Sequence, residues 1–300
     1  MSENEKLQNA ITVLLQGDRN SAARELWQLE PKIQDAKLRI QLIDALLSAS
    51  NFIDGGENLL ALNQEGIEIA KKYNNKQLEA HFILGQITLL EGKLIAPLYE
   101  KSNLKLARNW LEFPTESDKS RFKECEKEIN ETNNKIEKLF SEANIIAKDL
   151  NSKVIFAQIL LTRGELIHNH LINLKSEYLR GRISTKLWLK FNFLRQPFFN
   201  FITIYGSQNR KRIKVMTKNF VSAILTAAKI FEELNDLNAG YAYFKLANAL
   251  SGSYKFKTAQ NYLNKARIIA NNHLDKLLLK QISIVQSKIK EKTVISQIIY

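Results

Sequence analysis

Residues 240–272, GYAYFKLANALSGSYKFKTAQNYLNKARIIANN, contain two apolar stripes separated by a break at Ser251-Gly252. In each stripe the apolar residues recur every three or four positions, which is the spacing of one face of an α-helix. The first stripe consists of Tyr243, Leu246, Ala247 and Leu250, and the second of Phe256, Ala259, Leu263 and Ala266. This stretch therefore predicts two helices joined by a short turn.

The start of the motif ARIIA within this stretch recurs elsewhere in the chain. Similar motifs, each a small residue with isoleucine within the next three positions, begin at Gly66, Ala143, Ala228 and Ala266. A second small residue, Gly85, Gly164 or Ala247, follows the first three at 19–21 positions, and Val285 follows the fourth. The motifs begin 77, 85 and 38 residues apart. A unit of this last length predicts one more repeat in each long gap, the first marked by Ala107 and the second within 175–218.

The regular placement of small residues has a physical reason. Packed helices lie 8–10 Å apart, and the closest approach requires glycine or alanine at the contact. A single helix pair cannot bury its apolar face, so successive pairs must stack. The pattern therefore favours an all-α α-solenoid of stacked antiparallel helix pairs over residues 1–300 as a single domain.

The residues of 240–272 resemble the tetratricopeptide repeat (TPR) family. Further partial copies begin with Leu84-Gly85 and with Leu161-Gly164, and Gly17, Ala22 and Leu26 resemble the second half of a first, degenerate copy. The best copy departs from the family pattern because Tyr254 stands where a turn glycine is usual and no proline closes it. The resemblance implies a TPR-like right-handed superhelix whose concave groove binds a protein or peptide. Other helix-pair solenoids remain an alternative.

Groove residues follow from the same resemblance, because the family contacts its ligands from set positions on the first helix of each pair. Carried onto this chain, those positions are Glu79, Phe82, Gln86, Tyr241, Phe244, Lys245, Asn248 and Ser251. Lys245 with Asn248 is similar to the pair with which the family grips a carboxylate. The alternative is that these side chains belong to ordinary helix surface or to packing within a repeat.

Composition supports a helical protein and argues against catalysis. Glycine and proline together number 15 in 300 residues, where average usage would give roughly 36. We expect about a dozen helices of 10–20 residues, with a break near 131–134. The single cysteine, Cys125, excludes a disulfide framework and a cysteine-based zinc site. No phosphate-binding or dinucleotide-binding glycine motif is present. We therefore expect that the protein has no catalytic residue, cofactor or metal, and that it is a non-enzymatic scaffold.

Charge is unevenly distributed along the chain. Residues 1–150 hold 20 Lys/Arg and 24 Asp/Glu, a net −4, whereas residues 151–300 hold 24 and 7, a net +17. An excess of this size attracts a polyanion. The sequence therefore predicts that the protein or peptide partner is acidic.

Residues 175–218 form an atypical basic and aromatic segment. Its cations are Lys175, Arg180, Arg182, Lys186, Lys190, Arg195, Arg210, Lys211, Arg212, Lys214 and Lys218, and Trp188 is one of its eight aromatic residues. Three interpretations remain open. The aromatic residues fill the core, or they lie on an anionic membrane with the cations at headgroup level, or the segment binds nucleic acid through phosphate contacts and base stacking.

The first residues, MSENEKLQNA, lack the basic-then-apolar pattern of a signal peptide. No run of 18 uncharged apolar residues occurs in the chain. We therefore expect a cytoplasmic protein, with peripheral association at a membrane as the alternative.

Overall fold

A computed structural model of the chain is all-helical. It describes the backbone of residues 2–50, 52–108, 115–189, 196–252 and 255–299, and the side chains of 2–50, 56–101, 103–104, 115–172, 174, 211–252 and 255–291. The described residues form α1 (Glu3–Leu15), α2 (Arg19–Leu29), α3 (Ala36–Ala49), α4 (Phe52–Lys72), α5 (Lys76–Arg108), α6 (Glu116–Asp149), α7 (Lys153–Leu189), α8 (Gln196–Glu233), α9 (Asn238–Ser251), α10 (Phe256–Asn272) and α11 (Lys276–Ile299). The all-α prediction is confirmed, with eleven helices rather than about a dozen.

The same type of backbone turn occurs at four places, each between the second helix of one helix pair and the first helix of the next. The turn follows α4, α6, α8 and α10, and its central residue adopts positive φ at Asn74 (51°), Asn151 (47°), Asn235 (51°) and Leu274 (55°). In each case the next N–H donates to a carbonyl five residues earlier, at 2.8–2.9 Å. This is the Schellman ending of a helix, which satisfies carbonyls that the helix leaves unpaired. We call residues 73–75, 150–152, 234–236 and 273–275 the repeat turns.

The last residue of three of the four repeat turns caps the helix that follows. Asn75 accepts a hydrogen bond from the Leu78 N–H at 3.0 Å, and Asp275 accepts one from the Leu278 N–H at 2.8 Å. Ser152 accepts an equivalent bond from the Ile155 N–H at 3.3 Å. Asp236 differs, because it accepts from the Asn238 N–H two positions on, and α9 has no side-chain capping bond at its N-cap residue, Leu237. Such caps are strong helix-start signals. The repeat that the sequence predicts therefore has a conformational unit: helix, left-handed residue, cap, helix.

The small residues of the repeated motif lie at helix contacts, as predicted. A Cβ added at Gly66 would come within 3.0 Å of the Phe82 ring, and one at Gly85 within 2.9 Å of Asn63. The motif alanines are buried, namely Ala143, Ala228, Ala247 and Ala266. Close approach between helices is therefore the role of these positions.

The two extra repeats predicted from the long gaps are absent from the described residues. Only α5 and α6 lie between the first and second repeat turns, and only α7 and α8 between the second and third. These helices have 33–38 residues instead of 10–20. The inserted residues lengthen existing helices, and Ala107 lies in α5. The predicted break near 131–134 is also wrong, because α6 is continuous there.

The chain divides into two compact units. Unit 1 comprises Met1–Lys93, Ile136–Thr162 and Ile224–Tyr300, and unit 2 comprises Leu94–Lys135 and Arg163–Ala223. All four repeat turns belong to unit 1. Unit 2 consists of parts of the four long helices α5–α8 and the segments that join them. The interpretation of residues 1–300 as one domain stays a prediction.

One helix among the residues searched is long and apolar enough to cross a membrane. It is the Lys76–Lys101 part of α5, with a window of mean hydropathy 1.2, half of which is buried in the protein. Phe82, Ile87 and Leu94 of this helix are core residues. A core helix of this length and composition passes the same test.

Leu274 provides a first prediction, because it is the one repeat-turn leucine at positive φ. Its side chain is 83% exposed, and a left-handed conformation costs an ordinary residue about 1–2 kcal/mol. Asparagine, which occupies the other three copies, tolerates this conformation better. We expect Leu274→Asn to raise the free energy of unfolding by about 1 kcal/mol, as measured by urea denaturation. The matched change Asn235→Leu should lower it by a similar amount, and equal stability of all three proteins would contradict the assignment.

Candidate partner-binding site

The predicted groove residues of α5 belong mainly to the protein interior. Phe82 is fully buried and packs on Gly66, and its carbonyl accepts a hydrogen bond from Asn63 at 2.8 Å. Glu79 is buried and accepts a hydrogen bond from Lys76 at 2.9 Å. The prediction that Phe82 contacts the partner is therefore wrong, because its ring has no exposed surface and belongs to the core.

Gln86 is half-buried and engaged inside the protein. Its Oε1 accepts a hydrogen bond from Nδ2 of Asn63 at 2.6 Å. Asn63, a fully buried amide of α4, thus ties two positions of α5 to the preceding helix. The sequence analysis missed Asn63, although a polar residue inside the apolar stripe of α4 is the signal that could have identified it.

The predicted groove residues of α9 are more accessible. Tyr241, Phe244 and Lys245 are half-buried, Asn248 is exposed, and Ser251 is buried. Tyr241 donates its hydroxyl to Asp275 at 2.8 Å, which anchors α9 to the fourth repeat turn. Ser251 donates to the Asn248 carbonyl at 2.7 Å and stabilises the end of the helix. Phe244, Lys245 and Asn248 therefore remain as predicted contact residues, and we call them the α9 surface.

Lys245 has the most perturbed electrostatics of this surface. Burial lowers the pKa of its ammonium group to about 8, and the nearby Glu91 carboxylate partly opposes this shift. Glu91 is only 7% exposed and lies on α5. Removing charge from water disfavours the charged form unless an opposite charge compensates it. Lys245 is therefore an ammonium whose charge responds to the carboxylates around it.

The α9 surface has the chemistry of a carboxylate site. An ammonium group supplies up to three donors, and the amide of Asn248 supplies two more. Hydrogen bonds from a charged donor to a carboxylate are roughly twice as strong as neutral ones. Phe244 and Asn248 are four residues apart and so share one helix face. The aromatic ring thus adds an apolar contact beside the polar groups.

The basic segment 175–218 is described only at its end. Lys211, Arg212, Lys214 and Lys218 are exposed on α8. Beside them, Val215 is 57% exposed. The side chains of Lys175, Arg180, Arg182, Lys186, Trp188, Lys190, Arg195 and Arg210 lie outside the described residues. The direction of the aromatic side chains in 187–205 therefore stays a prediction.

The cysteine and one histidine in the described part of the chain are candidate reactive groups, as are possible metal ligands. No group of three or more His, Cys, Asp or Glu that could hold a metal occurs among the described residues. Burial raises the pKa of the Cys125 thiol, with the Glu100 carboxylate adding to the effect. A raised pKa keeps the thiol protonated and weakly nucleophilic. The His168 ring stacks on Phe220, 5.0 Å between ring centres.

Similarity within the chain is clearer than similarity to other proteins. Its four repeat turns share one conformation, and three of them share one capping pattern. No protein-family model matches the chain, and a search of curated proteins found no match.

Proposed function

We propose that the chain is a non-enzymatic, TPR-like α-solenoid scaffold that binds an acidic protein or peptide through the α9 surface. The observation that carries the proposal is the half-buried Lys245, set beside the exposed Asn248 on the first helix of the most regular repeat. A carboxylate of the partner would accept from both side chains. Phe244 would contact the neighbouring apolar part of the partner.

Contacts between alternate helices support the solenoid part of the proposal. α1 contacts α3, and α9 contacts α11, so the first helices of successive pairs touch. His81 of α5 contacts Asp44 of α3 at 2.8 Å, and Leu47 of α3 lies next to Gly85. First helices of neighbouring pairs lie side by side in a stacked helix-pair array. These contacts all lie within unit 1.

Charge supports the choice of an acidic partner. The net +17 of residues 151–300 supplies a long-range field that steers a negatively charged partner to the protein. Within the site, a partner carboxylate would add to Glu91 in stabilising the ammonium form of Lys245. The net positive charge of residues 151–300 and the Lys245 ammonium therefore both favour a negatively charged partner. The long-range charge contributes mainly to the rate of association.

A pull-down with the full chain as bait tests the proposal. We expect Phe244→Ala, Lys245→Ala and Asn248→Ala each to reduce recovery of the partner, which mass spectrometry identifies. Lys257→Ala is the matched control, because Lys257 is exposed on α10 and lies outside the α9 surface. Equal recovery with all four variants would remove the α9 surface as the site.

The exposed cations at 211–218 favour a second candidate function, peripheral association with an anionic membrane or with nucleic acid. Four exposed basic residues lie within eight positions of α8. Each cation near an anionic lipid surface contributes about 1 kcal/mol. Sedimentation with anionic but not neutral liposomes supports the membrane form, and salt-sensitive binding to oligonucleotides supports the other.

A further inference from the structure

Each repeat turn joins a second helix to the following first helix within unit 1. α5 begins at the first turn, and α6, which returns to unit 1, ends at the second. The second and third turns are neighbours, because Ala157 after one packs with Phe231 and Ala239 around the other. In the stacked helix-pair array proposed above, on which this inference rests, the first three turns occupy successive positions along an edge, which we call the turn edge. The fourth lies beside the α1–α2 turn, where a Cβ on Gly17 would be 3.6 Å from Leu277.

An apolar side chain is exposed at the same position of each turn on this edge. The residue before the left-handed asparagine is Tyr73, Leu150 or Leu234, with exposures of 61%, 44% and 41%. Isolated exposed apolar residues are common on proteins. Here, however, the conformation of the turn repeats the exposure three times along one edge. An ordered apolar row is a feature of contact surfaces.

Charge changes sign from one end of the turn edge to the other. Residues 71–76 around the first turn carry three lysines and no acid, a net +3. Residues 232–237 around the third carry two glutamates and one aspartate, a net −3. Residues 148–153 in the middle carry two lysines and one aspartate, a net +1. The edge is therefore complementary to a reversed copy of itself.

Two of these charges are available for a partner. Lys72 and Glu233 are exposed, and neither forms an ion pair with another described residue. By contrast, Lys76 contacts Glu79 at 2.9 Å, and Glu232 accepts a hydrogen bond from Tyr243 at 2.6 Å. Lys72 and Glu233 stand immediately before Tyr73 and Leu234, so each charge flanks an exposed apolar side chain.

We propose that two copies of the chain associate through the turn edge, related by a two-fold axis close to the second repeat turn. In such an interface the same patch is used by both copies, and residue pairs occur twice. The first turn of each copy then faces the third turn of the other. Tyr73 packs on Leu234, and Lys72 faces Glu233, while the two Leu150 side chains meet near the axis. The opposite orientation would place like charges together.

Sedimentation equilibrium of the full chain at low salt tests this association, because screening weakens exposed charge pairs. We expect a reversible monomer–dimer equilibrium within concentrations up to about 200 µM, as for a small interface. Lys72→Glu or Glu233→Lys creates two like-charge contacts per dimer, so each should raise the dimer dissociation constant about tenfold or more. Leu150→Asp, which places two carboxylates near the axis, should abolish the dimer.

Mixing the two charge-reversal variants gives the decisive measurement. In a mixed dimer both contacts join opposite charges, one with the wild-type polarity and one with reversed polarity. We therefore expect the Lys72→Glu and Glu233→Lys chains to associate with each other more tightly than either does with itself. Lys257→Glu, an equal charge change on α10, is the matched control and should leave the dimer unchanged. A monomeric wild type, or a mixture no more associated than its components, overturns the proposal. The outcome is independent of the α9 surface, which none of these substitutions touches.

Discussion

Replacing Phe82 by alanine should lower the free energy of unfolding by about 3–5 kcal/mol, the range for removing a buried aromatic ring. Phe82 is fully buried on α5, and its ring fills the space that the absent Cβ of Gly66 leaves. The truncation leaves a cavity between α4 and α5. Urea denaturation followed by circular dichroism measures the loss.

The substitution Phe244→Ala distinguishes a predicted partner-contact residue from a core residue such as Phe82. Phe244 is half-buried on the first helix of another repeat, so its loss should cost less than about 2 kcal/mol of stability. It should nevertheless reduce partner recovery. If the two substitutions cost the same stability, the separation of these two phenylalanines into core and contact residues is wrong.

The repeated motif could be identified from the sequence because its spacing is set by close contacts between helices, which only small residues allow. Gly66, Ala143, Ala228 and Ala266 must be small wherever helices meet closely, and this requirement is visible as residue type. The left-handed asparagines Asn74, Asn151 and Asn235 were a further signal, since each follows the motif by seven or eight positions. They were missed because an asparagine in a polar turn is common without any special conformation.

Helix lengths could not be predicted in the same way. Residues 131–134 were predicted to contain a break, and Gly92 is of a residue type that often ends helices, yet both places lie inside continuous helices. A glycine costs a helix only about 1 kcal/mol, which burial of the neighbouring Leu90 and Leu94 outweighs. Local propensity therefore loses to packing that is distant in sequence. The same limit produced the two wrong extra repeats.

The groove positions show why a family pattern predicts location better than exposure. Phe82 and Phe244 are both aromatic residues on first helices, but only the surroundings decide which of them is covered. Glu91 was not identified either, because its significance depends on Lys245, more than 150 residues away. A pair of this kind becomes visible only when α5 and α9 are placed in space.

Lys245 should make partner binding depend on pH in a range where ordinary lysines do not titrate. Burial places its pKa near 8 in the free protein, so the ammonium fraction falls as pH rises through that value. Binding of a carboxylate requires the ammonium form. We therefore expect constant affinity below about pH 7 and a fall approaching tenfold per pH unit above pH 8, the limit for one proton.

Lys245→Arg provides the test within the same site, because a guanidinium stays charged throughout this range. The partner recovered in the pull-down is titrated by calorimetry between pH 6.5 and 9.5, about one and a half units on each side of the Lys245 pKa. We expect a sloping profile for the wild type and for Lys257→Ala, and a flat one for Lys245→Arg. The stability of the free protein supplies an independent reading: since the unfolded chain binds the Lys245 proton more tightly than the folded protein, this residue's contribution to stability increases as pH rises from 8 towards 10.5. A wild-type affinity that is flat to pH 9.5 would show that the Lys245 ammonium does not contact the partner.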